Sequence, residues 1–269
     1  MNTTILRCPF CGTPLHRENS SLLCERPRPH CFDIARSGYV TLTRASGNAG
    51  DDKDMVRART AFLEKDYYKP FADAVCATVG DAHTVIDAGC GEGYYANRIA
   101  AMGTDVYGFD LSKSACDHAA KRAKQAGVSA MYGVASLFEL PAADRSADAI
   151  VNLFAPVAEK EFARVLKEDG RLIIGAAGKR HLYELKQAVY DTAYENEGRR
   201  DLPEGFALER QENVTFRFTC VGDDLKHLFG MTPYAFRTSP SDAARLDRLE
   251  QLDITADFDI FIYRLNKGV

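Results

Sequence analysis

The sequence predicts an α/β protein with a mostly parallel sheet, preceded by a small cysteine-rich module. Between residues 84 and 177, short apolar runs typical of strands alternate with amphipathic helical segments, a pattern that produces parallel sheets with helices on both faces. Four of the eight cysteines fall within residues 8–31. Unrelated cysteines buried in a core would not cluster in this way. A chain of 269 residues can bury one α/β core and one small module.

Three segments follow from this pattern: a module in residues 1–43, a linker with connecting helices in 44–83, and the α/β domain in 84–269. The stretch RASGNAGDD, residues 44–52, has linker composition. After it, Asp52 or Asp54 can cap a helix, and a second helix leads from Pro70 to Gly80. We expect the linker to separate two independent cores.

The cysteine cluster predicts a structural zinc site. No apolar run long enough for a secretory signal or a membrane span occurs, so we expect a cytoplasmic protein with reduced thiols. Cys8 and Cys11 flank a turn favoured by Pro9 and Gly12, and no βαβ pattern surrounds this CxxC as in redox proteins. A short hairpin can return Cys24 to the same ion.

The fourth zinc ligand stays open at this point, because His30 and Cys31 are neighbours and either can complete a tetrahedral site.

The segment TVIDAGCGEGYYANRIA, residues 84–100, predicts a cofactor site. Asp87 ends a buried strand, and Gly89 and Gly91 belong to a GxGxG turn that opens a helix, where backbone N–H groups face a ligand. Tyr94 stands where the dinucleotide fingerprint requires glycine. The acid at the strand end suits the ammonium of S-adenosylmethionine, and Asp110, which ends the next strand, can bind ribose hydroxyls.

Charge is segregated along the chain. The net charge is −4, yet residues 1–44 carry six arginines against three acids. Arginine suits phosphate binding, so a basic module before an acidic body favours a nucleic-acid partner. The candidates for phosphate contacts are Arg26 and Arg28 in the module and either Arg57 or Arg59 on the helix after the linker. Residues two positions apart on a helix point in different directions, so Arg57 and Arg59 cannot both face one cleft.

The motifs CPFC, HCFDIARSGYV, RARTAFLEKDYYKPF, DAGCGEGYY, GKRHLYELK and MTPYAFR together resemble the large-subunit ribosomal RNA guanine-N1-methyltransferases over essentially the full length. The resemblance implies a class I S-adenosylmethionine-dependent methyltransferase sheet with a terminal antiparallel strand, and a zinc module, held by three cysteines and a histidine, that recognises RNA. It also implies a homodimer acting on a ribosomal RNA hairpin. The histidine position best matches His30, although the gap after Cys24 is two residues longer than the family pattern.

The same resemblance implies the cofactor contacts. They are Gly91 and Glu92 in the turn, Tyr68 in the YxP motif, and His181 in the RHLxELK motif.

Methylation of guanine N1 requires positioning of an unstacked base and removal of one proton. Asn152 and the LFAP turn after the fourth strand can orient the guanine, and the sequence identifies no catalytic base. Two alternatives stay open: a small-molecule methyltransferase with a purely structural zinc module, and a non-catalytic cofactor-binding RNA-binding protein. Salt-dependent binding of ribosomal RNA discriminates against the first, and methyl turnover discriminates against the second.

Overall fold

The computed structural model describes residues 2–43, 53–198, 202–235 and 237–266. The predicted linker 44–52, with Asp52, lies outside the described residues. The N-terminal module contains a three-stranded antiparallel sheet of neighbouring strands β1 (Leu15–Glu18), β2 (Ser21–Cys24) and β3 (Cys31–Asp33).

The main sheet has eight strands in the order β10-β11-β9-β8-β5-β6-β7-β4. Its members are β4 (Val40–Thr41), β5 (Thr84–Ala88), β6 (Asp105–Asp110), β7 (Ala130–Val134), β8 (Ala147–Leu153), β9 (Leu166–Ala177), β10 (Phe206–Val221) and β11 (Gln251–Leu265). Strands from β4 to β9 pair in parallel, whereas β11 pairs antiparallel with both β9 and β10. The prediction of a mostly parallel sheet that ends in antiparallel strands is confirmed.

The helices connect these strands and cover the sheet. They are α1 (Lys53–Leu63), α2 (Lys69–Val79), α3 (Tyr94–Ala100), α4 (Lys113–Ala126), α5 (Glu159–Val165), α6 (Tyr183–Val189), α7 (Asp223–Gly230), α8 (Pro240–Ala243) and a 3₁₀ helix over Ala244–Arg248. Local signals set several ends: Pro70 lies in the first turn of α2, Gly80 follows its last residue with φ of 60°, and the Ser112 hydroxyl accepts the Ala115 N–H at the start of α4. None of the described helices is both long and apolar enough to cross a bilayer.

Two elements differ from their predicted lengths. The segment AEKEFARVLKEDG, residues 158–170, has an amphipathic pattern that predicts one helix closed by Asp169-Gly170, but the helix ends at Val165, because Leu166 already pairs with Ala147 of β8 and starts strand β9. The segment RHLYELKQAVYDTAYE, residues 180–195, likewise predicts one helix, but that helix ends at Val189.

The module and the α/β domain share one hydrophobic core, so the expectation of two independent cores was wrong. Strand β4 is the edge strand of the main sheet, with Val40 opposite Gly133 of β7. The Arg7 N–H donates to the Pro141 carbonyl at 2.9 Å. A single buried cluster joins module and sheet residues, including Leu6, Cys8, Leu22, Cys24, Phe32, Ile86, Tyr107, Phe109 and Met131.

Candidate active site and metal centre

The N-terminal module brings four metal-ligand side chains together. Gly12, with φ of 73°, makes the turn after the CxxC pair, and its N–H donates to the Cys8 carbonyl at 2.8 Å. The β1–β2 hairpin places Cys24 opposite Leu15 and so returns it to this turn. The Sγ atoms of the three cysteines and a ring nitrogen of His30 all lie within 4.8 Å of one another: Cys8, Cys11, Cys24 and His30.

This donor set fits zinc. A tetrahedral ion with Zn–S bonds of about 2.3 Å separates its ligand atoms by about 3.8 Å. The His30 Nδ1 lies 3.4 Å from the Cys8 Sγ and 3.5 Å from the Cys24 Sγ, and the His30 backbone N–H donates to the Cys24 Sγ at 3.0 Å. Cys31 is exposed in β3 and stands outside the cluster, so the geometry favours His30 as the fourth ligand.

The glycine turn after β5 forms the floor of a cavity of about 520 Å³, a volume typical of cofactor sites. Gly89 has φ of 87°, and a Cβ there would lie 2.5 Å from the Ala155 Cβ. Gly91 has φ of 52°, and its N–H donates to the Asp110 Oδ2 at 3.0 Å. The turn therefore needs glycine for both conformation and space, and it leaves the backbone open to a ligand.

The Asp110 side chain accepts hydrogen bonds from two backbone N–H groups, one in the glycine turn and one just after β6. Its Oδ1 accepts the Ser112 N–H at 2.7 Å, while its Oδ2 accepts the Gly91 N–H. The carboxylate also lines the cavity, at the end of β6 where the sequence predicted a ribose contact.

Three carboxyl groups line the cavity next to the glycine turn and make this part of it acidic: Asp87, Glu92 and Asp110. Burial, and then the nearby carboxylates of Asp110 and Glu92, raise the pKa of Asp87 to about 8. Burial also raises the pKa of Glu92, and the charge of Arg59 opposes that shift. A cationic ligand in this cavity would compensate the repulsion among these groups.

Tyr68 and His181, far apart in sequence, meet at the cavity wall. The His181 Nδ1 accepts the Asp257 N–H at 3.3 Å, which leaves its proton on Nε2, 3.4 Å from the Tyr68 hydroxyl oxygen. Burial lowers the pKa of His181 to about 3, so its ring is neutral. The Nε2–H therefore donates to the Tyr68 hydroxyl, whose own proton can point to a cavity ligand.

Asn152 is fully buried in β8 and is not among the residues lining the cavity. Its Nδ2 donates to the Ala88 carbonyl at 2.9 Å and the Pro156 carbonyl at 3.2 Å. It therefore ties the LFAP turn to the end of β5, so it can orient this turn rather than contact a substrate directly.

One cavity residue, Arg59, was not predicted from the sequence to line the cofactor cavity. Arg59, considered above as a phosphate ligand, lines the cavity, whereas Arg57 is exposed and pairs with Asp54 at 3.2 Å. Phe154, which belongs to the LFAP turn predicted to orient the guanine, lines the same cavity together with Phe138, although both residues are largely exposed. A sequence signal existed for Arg59, since it follows the buried Val56 by three residues and so belongs to the buried stripe of α1.

Comparisons with known proteins match both parts of the chain. A family model described as "Methyltransferase domain" matches residues 85–172, and one described as "RlmA, N-terminal", a zinc ribbon, matches residues 6–44. The 23S rRNA (guanine(748)-N(1))-methyltransferase of Streptomyces fradiae is 33% identical over an alignment that spans 254 positions with its gaps and covers 89% of each chain. YxjB of Bacillus subtilis, provisionally named a 23S rRNA (guanine-N(1)-)-methyltransferase, is 30% identical over an alignment that spans 283 positions with its gaps and covers 96% of each chain.

Solved structures agree on the fold of the larger part. YcgJ of Bacillus subtilis superposes with a TM-score of 0.50 at 17% identity, over 75% of this chain and all of that chain. A protein from echinomycin biosynthesis, studied for conversion of a disulfide bond into a thioacetal group, has a TM-score of 0.50 at 18% identity, over 74% of this chain and 82% of that one. Joined to the full-length relatives, the glycine-turn cavity and the zinc-ligand cluster lead to one conclusion: the chain belongs to the family of 23S rRNA (guanine-N1)-methyltransferases.

Proposed function

We propose that this protein transfers a methyl group from S-adenosylmethionine to N1 of a guanine in large-subunit ribosomal RNA. The observation that carries the proposal is the similarity to 23S rRNA (guanine-N1)-methyltransferases over 89–96% of the chain, joined to family models that match the zinc ligands and the glycine turn. Each part alone is compatible with other functions, because zinc ribbons and class I sheets both occur in many proteins.

The cavity residues suit S-adenosylmethionine, which supplies a methyl group on a positively charged sulfur. In this proposal Asp87, Glu92 and Asp110, which all line the cavity, compensate its positive charges, and Asp110 accepts hydrogen bonds from the ribose hydroxyls. Gly89 and Gly91 let the backbone approach the methionine portion closely. The Tyr68–His181 pair offers one hydroxyl donor at the wall of the same cavity.

Two exposed phenylalanines at the cavity support the proposal that the substrate is a planar base. Phe154 has φ of 57°, a conformation that costs energy for an aromatic residue, and it lines the cavity with 52% of the residue exposed. Phe138, 66% exposed, lines the cavity from the loop after β7. A guanine unstacked from RNA needs such ring faces to replace the stacking it leaves. Asn152 then acts as a positioning residue for the turn that carries Phe154.

The zinc module is the proposed contact surface for an RNA hairpin. Arg26 and Arg28 are exposed in the segment between Cys24 and His30, so zinc binding would hold their backbone in place. Guanidinium groups on such a segment can bind phosphates of an RNA backbone. The proposed parts are thus an RNA-recognition module in residues 1–43, a linker with connecting helices in 44–83, and the methyltransferase domain in 84–269.

Methyl transfer onto unmodified 23S rRNA tests the function. We expect incorporation of one labelled methyl group per RNA, and reverse transcription should stop at a single guanine because N1-methylation blocks base pairing. RNA binding with salt-dependent affinity but no transfer would favour a non-catalytic RNA-binding protein. Transfer only to small molecules would favour an enzyme whose zinc module is purely structural, a role that the shared core also fits.

Two further features of the proposal rest on the resemblance to this family. We propose a homodimer, which light scattering during size-exclusion chromatography tests directly. We also propose that the protein acts in the cytoplasm, where ribosomal RNA substrates are processed, and localisation of a tagged chain tests it.

A further inference from the structure

Arg59 of helix α1 places its guanidinium against the glycine turn. A Cβ on Gly91 would lie 3.3 Å from the Arg59 Nη1, and the same Nη1 lies 3.5 Å from the Glu92 Oε2. The side chains of Arg59 and Glu92 are 23% and 5% exposed, so solvent screens this pair little. The guanidinium therefore sits where a ligand bound over the turn must meet it.

The charges around the cavity make Arg59 distinctive. Among the described residues that line it, Arg59 is the only lysine or arginine, against the three carboxyl groups of Asp87, Glu92 and Asp110. His181 also lines the cavity, but its ring is neutral because burial lowers its pKa to about 3. A negatively charged group of a ligand has one permanent cation to bind in this lining.

The proposed cofactor carries such a group. Its methionine end has an ammonium and a carboxylate, and its sulfur is positive. The three acids suit the ammonium and the sulfur, whereas they repel the carboxylate. A guanidinium has five N–H donors in a planar fork, so it can contact Glu92 and a second carboxylate together.

We propose that Arg59 binds the α-carboxylate of S-adenosylmethionine, with Glu92 as the residue that positions the guanidinium over Gly91. This inference rests on the proposed function, because it names the contact for the cofactor of that reaction. It also assigns to α1, which follows the segment joining the zinc module, a direct part in cofactor binding.

A cofactor analogue without the carboxylate tests the assignment. Decarboxylated S-adenosylmethionine keeps the ammonium and the positive sulfur, so it removes only the proposed partner of Arg59. Isothermal titration calorimetry would compare both ligands on the full-length zinc-loaded wild-type protein, Arg59→Ala, Arg59→Lys and Arg57→Ala. Arg57, on the same helix but exposed, is the matched control.

The wild-type protein should bind S-adenosylmethionine about 10- to 100-fold more tightly than the decarboxylated analogue, the range for a charge-assisted contact. Arg59→Ala should lose that difference by binding the natural cofactor more weakly while its affinity for the analogue stays close to wild type. Arg59→Lys should restore part of the preference because it keeps the charge without the fork. Arg57→Ala should match the wild type with both ligands.

Equal weakening of both ligands in Arg59→Ala would show that the arginine only supports the turn, and an unchanged preference would place the carboxylate elsewhere. Either result overturns the assignment and leaves the proposed function standing. Absence of binding of either ligand to the wild-type protein would overturn both. Zinc content and the thermal transition of each variant establish that it is folded before the comparison is made.

Discussion

Replacing Leu6 by alanine tests whether the zinc module and the main sheet unfold together. Leu6 is fully buried in the cluster that contains the zinc ligand Cys8 and the sheet residues Tyr107 and Phe109. Leu6 also forms an isolated antiparallel β-bridge with Ala142, which follows β7 in the chain. Its side chain thus lies where the two parts of the core meet.

The magnitude follows from this burial. A fully buried leucine replaced by alanine lowers the free energy of unfolding by about 2–5 kcal/mol, since the apolar contacts are lost and a cavity remains. For a chain of this size that corresponds to a decrease in Tm of about 4–20 °C. Leu208→Ala is the matched control: this leucine is 46% exposed on β10, and its loss should change stability by less than about 1 kcal/mol.

Denaturation by urea, followed by two probes, gives the readout. Zinc release, measured with a chromogenic indicator, reports the module, and circular dichroism at 222 nm is dominated by the helices of the larger domain. We expect both probes to show the same midpoint in the wild-type protein and the same decrease in Leu6→Ala. A variant that releases zinc at lower urea while its circular dichroism midpoint stays at the wild-type value would refute the shared core.

Four other predictions concern the site. Asp110→Ala should weaken S-adenosylmethionine binding about 10- to 100-fold by calorimetry, through lost charge-assisted hydrogen bonds, and wild-type affinity would exclude the assigned contact. The affinity for S-adenosylmethionine should rise by up to about tenfold between pH 6 and pH 7, because Asp87, with a pKa of about 8, is protonated in the free protein and loses its proton when the cationic ligand binds. Asp87→Asn should flatten this pH dependence, and an equal slope in both proteins would contradict the prediction. Phe154→Ala should lower methyl transfer to RNA without changing cofactor affinity, Phe154→Tyr should restore it, and a Tyr variant as inactive as Ala would argue against stacking. The double variant of Arg26 and Arg28 to alanine should lower the slope of log affinity for RNA against log salt by more than about one, and an unchanged slope would remove these side chains from the interface.

The alternation of strands and helices and the glycine turn could be predicted because their signals are local. Asp87, the GxGxG turn and Asp110 lie within one β-turn-α-β unit, where spacing along the chain determines position in space. The approach of Cys24 to the CxxC pair is equally local, since a hairpin of ten residues makes it. His30 and Cys31 differ by one position on a strand edge, and only the three-dimensional course of the preceding loop separates them.

The shared core could not be predicted in this way. Apolar residues such as Leu6 and Leu22 look the same in sequence whether they pack on their own module or on a sheet formed a hundred residues later. The early end of α5 has a similar cause, because pairing of Leu166 with β8 overrides a helical pattern that continues beyond it. The side of α1 that faces the cavity could have been predicted more closely, because Arg59 lies three residues after Val56 and three before Phe62, both of which are buried.

The pairing of β4 with β7 sets an order for folding during synthesis. The zinc ligands lie within residues 8–30, so the metal can close the module as soon as this short segment emerges. Val40 cannot pair until Gly133 has been synthesised, and at a synthesis rate of about 5–20 residues per second this delay lasts on the order of 5–20 s. Throughout that time the apolar face around Leu6 has no partner. A zinc ion bound by these four ligands would hold the segment from Cys8 to His30 together until the strand that completes its burial has been made.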